Sequence, residues 1–417
     1  MRADTLTGFL ARGRFTGQVR AYYFTRDYAA ASPVNARAFA LAGLFNYRTA
    51  KFLDGLSLGA SFFTANALGT RSRDFQRIDT TLMGVTNALD TLGEAFVNYR
   101  GHGVRVRLGD QQINTPWLGA SDSRALPATY RGIYASFDPV ANLTLVALRV
   151  TAYKGRTSAG FFPDNNYYPP QWHGNANYGG VAILPAGARG TPGTLAFGVT
   201  YRRPGLDATA WYYRFFGFAH MLYGQIDATV PVGSPVRPFI GVQGVREWGA
   251  ASRFAGLGTR FFGQPGTTVE NLTLGGLAGV RVDGVRLSLA YDELRREGAG
   301  ALGSGVLISP YTAGYATDPL YTTSMIRGMV ELGPGHAWKV RVATAALAHR
   351  LLLAASYAAY RTDFQGRDTE LYVDVIFRSR GVVKGLTLRE RLGISQGEAN
   401  PGRGRFIYNR VMVTYAF

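Results

Sequence analysis

The 417-residue chain carries 45 lysines and arginines against 27 aspartates and glutamates, for a formal net charge of +18. Its 53 glycines, 24 tyrosines and 25 phenylalanines, with only 17% charged residues, favour many short strands and turns over helices. The absence of cysteine excludes a disulfide framework and a thiolate metal site. No apolar run approaches the roughly 18 residues of a membrane-spanning helix, which excludes a helical membrane protein.

The first residues, "MRADTLTG", lack the charged and then apolar pattern of a secretion leader. Either the chain is cytosolic or a signal peptide has been removed. We favour removal, because the remaining pattern is that of an envelope protein, and we expect residues 1–417 to form a single domain.

Segments of about ten residues that alternate small or polar with aliphatic or aromatic side chains recur along the whole chain, as expected of strands with one apolar face. In chain order they include "RFTGQVRAYYFTR", "FALAGLFNYRT", "LSLGASFFT", "EAFVNYRG", "VRVRLGDQ", "LTLVALRVTAYKG", "TLAFGVTYRR", "LDATAWYYRFF", "VRLSLAYDEL", "AWKVRVATAAL", "LLLAASYAAYR", "ELYVDVIFRS" and "LTLRERLGIS".

The connections alternate in length, which indicates a sheet with one short-turn end and one elaborated end. Tight turns lie at 52–55, 100–103, 138–142, 203–205 and 282–284, and longer segments lie near 66–90, 112–127, 157–192, 249–268 and 294–335. This asymmetry is typical of an outer-membrane barrel with short periplasmic turns and long extracellular loops. Because lipid offers no hydrogen bonds, such a sheet must close on itself.

We predict an all-β, transmembrane antiparallel barrel of about 18 strands. Counting residues 322–333 as a strand would give about 19, but placing both termini on the periplasmic side demands an even number, so we assign them to the seventh outer loop. A soluble sandwich or tandem all-β domains are the structural alternatives. The C-terminal "NRVMVTYAF" alternates to its last residue, so we expect it to pair with the first strand, with Tyr415 and Phe417 as an assembly signal.

Charged side chains facing lipid are costly, so strand arginines should point into the lumen. The alternation puts basic residues on one face of several strands and apolar residues on the other face. The basic residues are Arg14, Arg20, Arg26, Arg105, Arg107, Lys339, Arg341, Arg389 and Arg391. Glu390 breaks this pattern.

Closure brings the last two strands beside the first and places four arginines near mid-membrane: Arg20, Arg389, Arg391 and Arg410. Arg14 should then lie below them and Arg26 above. Such a vertical file of cations could pass an anion between weak sites. Alternatively, interior arginines pair with interior acids such as Glu94, Asp292, Glu370 and Asp374 and stiffen the wall, although the large positive excess cannot all be neutralised in this way.

The segment "RLGDQQINTPWLGASDSRALPATYRG" (107–132) exceeds a hairpin turn and carries Asp122, Ser123 and Arg124 at its centre. We expect it to fold inward and narrow the pore, opposing a carboxylate and several donors to a cationic wall. We include Arg131 in this constriction.

Three stretches resemble the OprD family of outer-membrane porins: "RAYYFTRDY", the 107–132 segment, and "GVVKGLTLRERLGI" with "NRVMVTYAF". The resemblance runs through nearly the whole chain. It implies an 18-stranded monomeric barrel, a constriction formed by inward loops, and uptake of small carboxylate-bearing nutrients such as amino acids or aromatic acids. It assigns a basic ladder to Arg14, Arg20, Arg26, Arg389, Arg391 and Arg410, and the constriction to Asp122, Ser123 and Arg124.

Two features depart from that pattern. No cysteine pair is present to staple an outer loop, and the fourth loop contains "FFPDNNYYPPQWHGN". Its Tyr167, Tyr168 and Trp172 could stack on sugars or aromatic rings, or could serve in an aromatic girdle or in plain loop packing.

Other functions fit the sequence less well. His102, His173, His220, His336 and His349 lack metal-ligand spacing, and no phosphate-binding glycine loop opens a helix, so we expect no enzyme, no metal and no cofactor. Basic residues alternate with apolar ones, which argues against nucleic-acid binding.

The functional alternatives to carboxylate uptake are a general or sugar porin with weak anion preference, and a largely closed barrel acting as a receptor or scaffold. We expect small anionic or zwitterionic solutes, outer-membrane lipid or lipopolysaccharide, and the barrel-assembly machinery as partners of a monomer in a Gram-negative outer membrane.

Overall fold

The fold is that of a computed structural model, which describes residues 5–53, 55–169, 184–185, 187–230, 235–249, 252–254, 268–298, 305–363 and 365–417. Within these residues, no helix has the length and apolar character needed to cross a membrane. Trp172 and His173 lie outside the described residues; they belong to the "FFPDNNYYPPQWHGN" segment of the fourth loop, which we call the aromatic loop.

Eighteen strands, two short α-helices and three 3₁₀ helices of three residues each make up the regular structure of the described residues. The α-helices are α1 (Leu6–Ala11), which precedes the first strand, and α2 (Met329–Leu332), which lies between the thirteenth and fourteenth strands. The first nine strands are β1 (Arg14–Tyr28), β2 (Ala36–Arg48), β3 (Leu56–Asn66), β4 (Ala88–Gly101), β5 (Val104–Gln111), β6 (Thr129–Val140), β7 (Leu143–Lys154), β8 (Thr194–Arg203) and β9 (Leu206–Phe215). The other nine are β10 (Ala219–Thr229), β11 (Arg237–Gly249), β12 (Val269–Val282), β13 (Val285–Arg296), β14 (Gly335–Ala346), β15 (Leu351–Thr362), β16 (Gly366–Arg378), β17 (Leu386–Gly397) and β18 (Arg405–Ala416).

The strands form one closed antiparallel sheet. Each pairs with its sequence neighbours, and β1 also pairs with β18, in a register that runs from Gln18 opposite Ala416 to Tyr28 opposite Phe406. Closure leaves no sheet edge, as a lipid environment requires. The predicted count of 18 is confirmed, and residues 322–333 lie in the connection between β13 and β14, where α2 replaces the alternative strand.

Side chains alternate between an apolar exterior and a polar interior. The exterior presents exposed large apolar residues on almost every strand, among them Val19, Tyr23, Leu41, Phe62, Leu92, Leu108, Ile133, Leu145, Leu222, Val242, Leu289, Trp338, Leu371 and Val411. The opposite faces bury polar side chains that include Arg20, Ser61, Arg107, Gln243, Ser288, Ser356, Asp374 and Arg410. A band of this kind is what contact with hydrocarbon demands.

One end of the barrel carries mostly short turns. At 283–284 a two-residue hairpin turn has Asp283 and Gly284 both at positive φ (46° and 81°), the backbone that matches the twist of adjoining strands. The other end carries the longer connections, which we number L1 to L9; those used below are L2 (67–87), L3 (112–128), L4 (155–193) and L7 (297–334). Two connections at this long-loop end, 216–218 and 363–365, are themselves short.

The C-terminus closes the barrel beside β1. Phe417 and Gly17 exchange two backbone hydrogen bonds of 3.0 Å, and the Phe417 ring lies 6.2 Å from the ring centroids of Phe15 and Tyr415. A Cβ atom at position 17 would lie 2.5 Å from this ring, so glycine leaves room for the terminal aromatic. These rings form part of an exterior aromatic cluster at the short-turn end.

Candidate functional site

L3 folds into the barrel and spans it from wall to wall. The backbone N–H of Trp117 lies 3.5 Å from the hydroxyl of Tyr213 on β9, and the Trp117 ring packs edge-on against Tyr223 of β10. At the other wall, Asp122 meets Arg20 of β1 through two hydrogen bonds of 2.6 and 2.8 Å. Because β9 and β10 lie opposite β1 in the closed sheet, L3 constricts the lumen.

Arginines occupy four successive lumen-facing rows on β17, β18 and β1. The first row holds Arg20; the second holds Arg389, opposite Met412. The third holds Arg391 opposite Arg410, and the fourth holds Arg26. Rows two residues apart are separated by about 6.8 Å along a strand. We call these five residues the arginine file.

Three members of the arginine file are ion-paired. Besides Arg20 with Asp122, Arg389 meets Asp374 through bonds of 2.8 and 2.7 Å. Arg26 lies 2.8 Å from Asp79 of L2. The sequence-based alternative, in which interior arginines pair with interior acids, therefore describes part of the file.

Asp79 is the centre of a buried network that links L2 to the wall. It accepts hydrogen bonds from the Thr81 hydroxyl (2.7 Å) and the Tyr408 hydroxyl (2.7 Å). Burial alone would raise the pKa of this carboxyl, but the charges of Arg26 and Arg124 prevail and lower it. Asp79 therefore remains an anion that holds L2 against the arginine file.

Four arginines form a group without carboxylate partners, which we call the constriction cluster: Arg124 of L3, Arg156 of L4, Arg391 and Arg410. Arg391 lies opposite Asp374 in the register of β16 and β17, but that carboxylate is bonded to Arg389, and Arg391 donates instead to the Tyr372 hydroxyl at 2.9 Å. Arg410 stacks 4.1 Å from the Tyr408 ring centroid. Arg124 also lies against the Tyr408 ring, at 5.8 Å. None of the four forms an ion pair within the described ranges.

The constriction cluster concentrates positive charge in a poorly hydrated place. Burial lowers the pKa of Arg124 well below its usual value, and the nearby charges of Arg410 and Arg156 lower it further. Buried N–H groups at Arg156 Nε and Nη2 and at Arg410 Nε have no hydrogen-bond acceptor among the described residues. Donors of this kind suit an incoming anion or ordered water.

L7 also folds into the lumen and is held by two wall carboxylates. Glu370 on β16 accepts hydrogen bonds from three successive backbone N–H groups, those of residues 325–327, at 2.9 to 3.1 Å. Asp292 on β13 accepts from the backbone and the hydroxyl of Thr322, both at 2.7 Å. These acids, considered above as partners of arginines, therefore anchor a loop.

The remaining basic residues of the prediction lie elsewhere on the lumen wall. Lys339 donates to the Thr323 carbonyl of L7 at 2.7 Å, and Arg341 lies two residues nearer the short-turn end. Arg107 stacks 4.1 Å from the Phe96 ring centroid. Arg105 shares its face, and Arg14 lies at the foot of β1 in a cavity of about 550 Å³.

Arg131 does not belong to the constriction. Its guanidinium pairs with Asp110 at 2.7 Å, on the same outward parity as Leu108 and Ile133, and its side chain is 53% exposed. The chain has already left L3 and entered β6 at this residue, so alternation turns it outward. Ser123, in contrast, stays in L3, where its carbonyl accepts from Arg124 at 3.0 Å.

Sequence reasoning missed Asp79 and Arg156. Both lie in long connections without periodicity. Asp79 meets Arg26 and Tyr408 of β1 and β18, whereas Arg156 meets Ser121 of L3 and the Tyr315 ring of L7. Tyr167 and Tyr168 of the aromatic loop are buried, and Tyr167 packs 5.3 Å from Phe254 rather than being presented to solvent. Among the described residues, no group of three or more His, Asp or Glu side chains is arranged to hold a metal.

Comparison with known proteins agrees with this architecture. The family model of the outer membrane porin, OprD family, matches residues 7–296. Among curated proteins, no sequence matches.

Solved structures share the fold at low sequence identity. Pseudomonas aeruginosa OccK9 (OpdG) is 18% identical with a TM-score of 0.73, over 98% of this chain and 99% of that one. P. aeruginosa OpdK with vanillate is 16% identical with a TM-score of 0.75, over 98% and 100%. P. aeruginosa OccK2 (OpdF) in complex with glucuronate is 16% identical with a TM-score of 0.72, over 98% and 99%.

The family model covers well over half of the chain, and the closed 18-stranded barrel is the fold of its structural neighbours. The fold and family are those of porin channels in the outer membrane of Gram-negative bacteria. The chain belongs to the OprD family of outer-membrane porins.

Proposed function

We propose that this porin mediates passive, selective diffusion of small carboxylate-bearing solutes. The observation that carries the proposal is the constriction cluster: four arginines without carboxylate partners among the described residues, lying where L3 narrows the lumen. Three of them are buried, whereas Arg391 is partly accessible. A carboxylate that reaches Arg391 would also feel the charges of its neighbours in a poorly screened environment.

The arginine file supplies the route on either side of this point. Successive cations about 6.8 Å apart allow a carboxylate to engage a new donor before it leaves the last. The paired members contribute as well, because Asp122 and Asp374 can share their arginines with a transient anion. Vanillate and glucuronate, both carboxylates, appear with two of the structural neighbours, which supports the same solute class here.

A second candidate is a largely closed barrel acting as a receptor or scaffold. L7 favours it, since Met329 and Val330 are buried in the lumen and the loop is anchored at Asp292 and Glu370. The inward packing of both L3 and L7 argues against a wide general or sugar porin. Single-channel conductance separates a narrow channel from a closed barrel.

The test of carboxylate selectivity is block of single-channel current by benzoate in planar bilayers. We expect the R391Q/R410Q variant to bind benzoate roughly tenfold or more weakly, since two charges acting through a partly aqueous lumen contribute about 1 kcal/mol each. The matched control is R131Q, which removes one charge on the exterior. Equal block of wild type and R391Q/R410Q would remove the constriction cluster from the mechanism.

We further propose that residues 1–417 act as one unit, as a monomer without catalytic activity. Tyr415 and Phe417 would serve as the signal read by the barrel-assembly machinery. The exterior long-loop rim would contact lipopolysaccharide, because Arg149 and Arg214 both lie 4.8 Å from the Phe216 ring centroid on the outer face.

A further inference from the structure

A cavity of about 740 Å³ opens at the periplasmic end of the lumen, below L7 and remote from the constriction cluster. It is bounded by the ends of β8 to β13. These strands form the wall opposite β17, β18 and β1, which carry the arginine file. The cavity therefore lies between the constriction and the periplasmic exit, against the wall opposite the arginine file.

Three arginines stand side by side along one wall of this cavity. Arg237 on β11 is the register partner of Arg281 on β12, which in turn is the partner of Arg286 on β13. Adjacent strands are about 4.8 Å apart, so the three side chains start from a row about 10 Å wide. We call them the exit row.

No carboxylate in the described part of the chain lies in ion-pair contact with the exit row. Among the described residues, none of its three arginines forms an ion pair, and Arg286 instead stacks 4.1 Å from the Phe239 ring centroid. Like charges on neighbouring strands repel one another, so this arrangement costs stability unless an anion is present. The ring holds one guanidinium in place without neutralising it.

The two acids of the cavity are already engaged. Asp207 accepts from Arg202 at 2.9 Å, and Asp227 accepts from the Tyr321 hydroxyl at 2.9 Å. The lining holds five arginines (Arg202, Arg203, Arg237, Arg281 and Arg286) against these two aspartates, which leaves three positive charges.

L7 forms the roof of the cavity through Tyr321. A Cβ atom at position 241 would lie 2.3 Å from Asp227 Oδ1 and 2.5 Å from the Tyr321 hydroxyl, so Gly241 leaves the space in which the two side chains meet. The roof thus presents an aromatic hydroxyl and a carboxylate over the cationic row. A solute in the cavity would face the guanidinium donors of the exit row and would be bounded from above by L7.

We propose that the exit row (Arg237, Arg281 and Arg286) is a second anion-binding site, at the periplasmic exit, for solutes that carry two anionic groups, such as dicarboxylates. Two neighbouring guanidiniums can each take one carboxylate in a two-point contact, which a single carboxylate cannot exploit. This inference rests on the proposed function in one respect: anions must pass the constriction to reach the exit row from outside. Binding at the exit row itself does not involve the arginine file.

The experiment compares succinate and benzoate on the intact purified porin. Binding is measured by the line broadening of ¹³C-labelled solute on titration with porin, which reports whether or not the pore conducts. Sidedness comes from single-channel block with solute added to the periplasmic or the extracellular side. The variants are R237Q/R281Q/R286Q, R391Q/R410Q, and R100Q as the control, since Arg100 is an exposed arginine at the periplasmic end of β4 outside the cavity.

We expect R237Q/R281Q/R286Q to lose about tenfold in succinate affinity and in block from the periplasmic side, with benzoate binding unchanged and R100Q like wild type. Unchanged succinate binding in R237Q/R281Q/R286Q would overturn the exit site. So would a result in which R391Q/R410Q loses succinate binding and R237Q/R281Q/R286Q keeps it. Failure of the proposed function is a separate result: no benzoate effect in wild type, with succinate binding still dependent on the exit row. Heat-modifiable migration of each variant verifies that its barrel has folded.

Discussion

The ion pair between Arg20 and Asp122 holds the tip of L3 against the wall, and removing its acid should loosen the constriction. The two parallel bonds of 2.6 and 2.8 Å give the geometry in which guanidinium and carboxylate interact most strongly. Arg20 is 3% exposed, whereas the Asp122 side chain is 40% exposed, so solvent screens part of the interaction. In D122N we expect L3 docking to weaken by about 1–2 kcal/mol.

A loss of this size raises the undocked fraction of L3 by a factor of roughly 5–30. Single-channel recordings should therefore show D122N visiting a larger-conductance state more often than wild type. Anion preference should also rise, because Arg20 keeps its charge while losing its partner. The matched control is D74N, which removes an acid from the exposed Asp74–Arg77 pair of L2.

Identical conductance states and identical selectivity in D122N and wild type would refute the reasoning. In that case the contacts of Trp117 at the other wall would suffice to hold L3. A change in D74N of the same size would show that the effect reflects loop charge in general rather than this pair.

Four further outcomes follow from the structure. D79N should lower the thermal midpoint of barrel unfolding, followed by heat-modifiable migration, because it leaves Arg26 without its buried carboxylate, at a cost of about 3–5 kcal/mol; an unchanged midpoint would contradict the buried network. Burial raises the pKa of Asp318 in L7 to about 6 from 3.8, so folding of this loop is favoured at low pH and weakens as pH rises between these values; loop-gating events should increase over that interval, and D318N should abolish the dependence. F417A should reduce the yield of assembled barrel in cells, measured by heat-modifiable migration, because the terminal ring loses its contacts beside β1; normal yield would argue against the assembly role. R131Q should leave ion selectivity, measured as reversal potential, unchanged, because its side chain lies on the exterior; a shift would return Arg131 to the pore.

The barrel could be predicted from the sequence because the residue alternation within each strand identifies its lipid-facing and lumen-facing sides. Alternation of lipid-facing and lumen-facing side chains is local and repeats on every strand, so the strand number, the closure of β18 on β1 and the inward parity of Arg20 or Arg391 follow from it. The same parity was available for Arg131, which is in phase with Ile133 and Phe137. The error came from reading the 107–132 segment as one loop when its end is already strand.

The interior of the loop region could not be predicted in this way. L3 and L7 have no periodicity, and their side chains meet partners far away in the sequence, such as Asp122 with Arg20 and Tyr321 with Asp227. Local pattern carries no information about these pairs, because they depend on how each loop folds back into the lumen. The exit row could be found only once the register of β11, β12 and β13 was known.

The central claim, that arginines at the constriction select carboxylate-bearing anions, is tested most directly by the reversal potential of the wild-type channel across a salt gradient, with and without benzoate. The account predicts a reversal potential shifted toward the equilibrium potential of the anion, and block of the current by benzoate. A cation-side reversal potential, or anion current indifferent to benzoate, would contradict it.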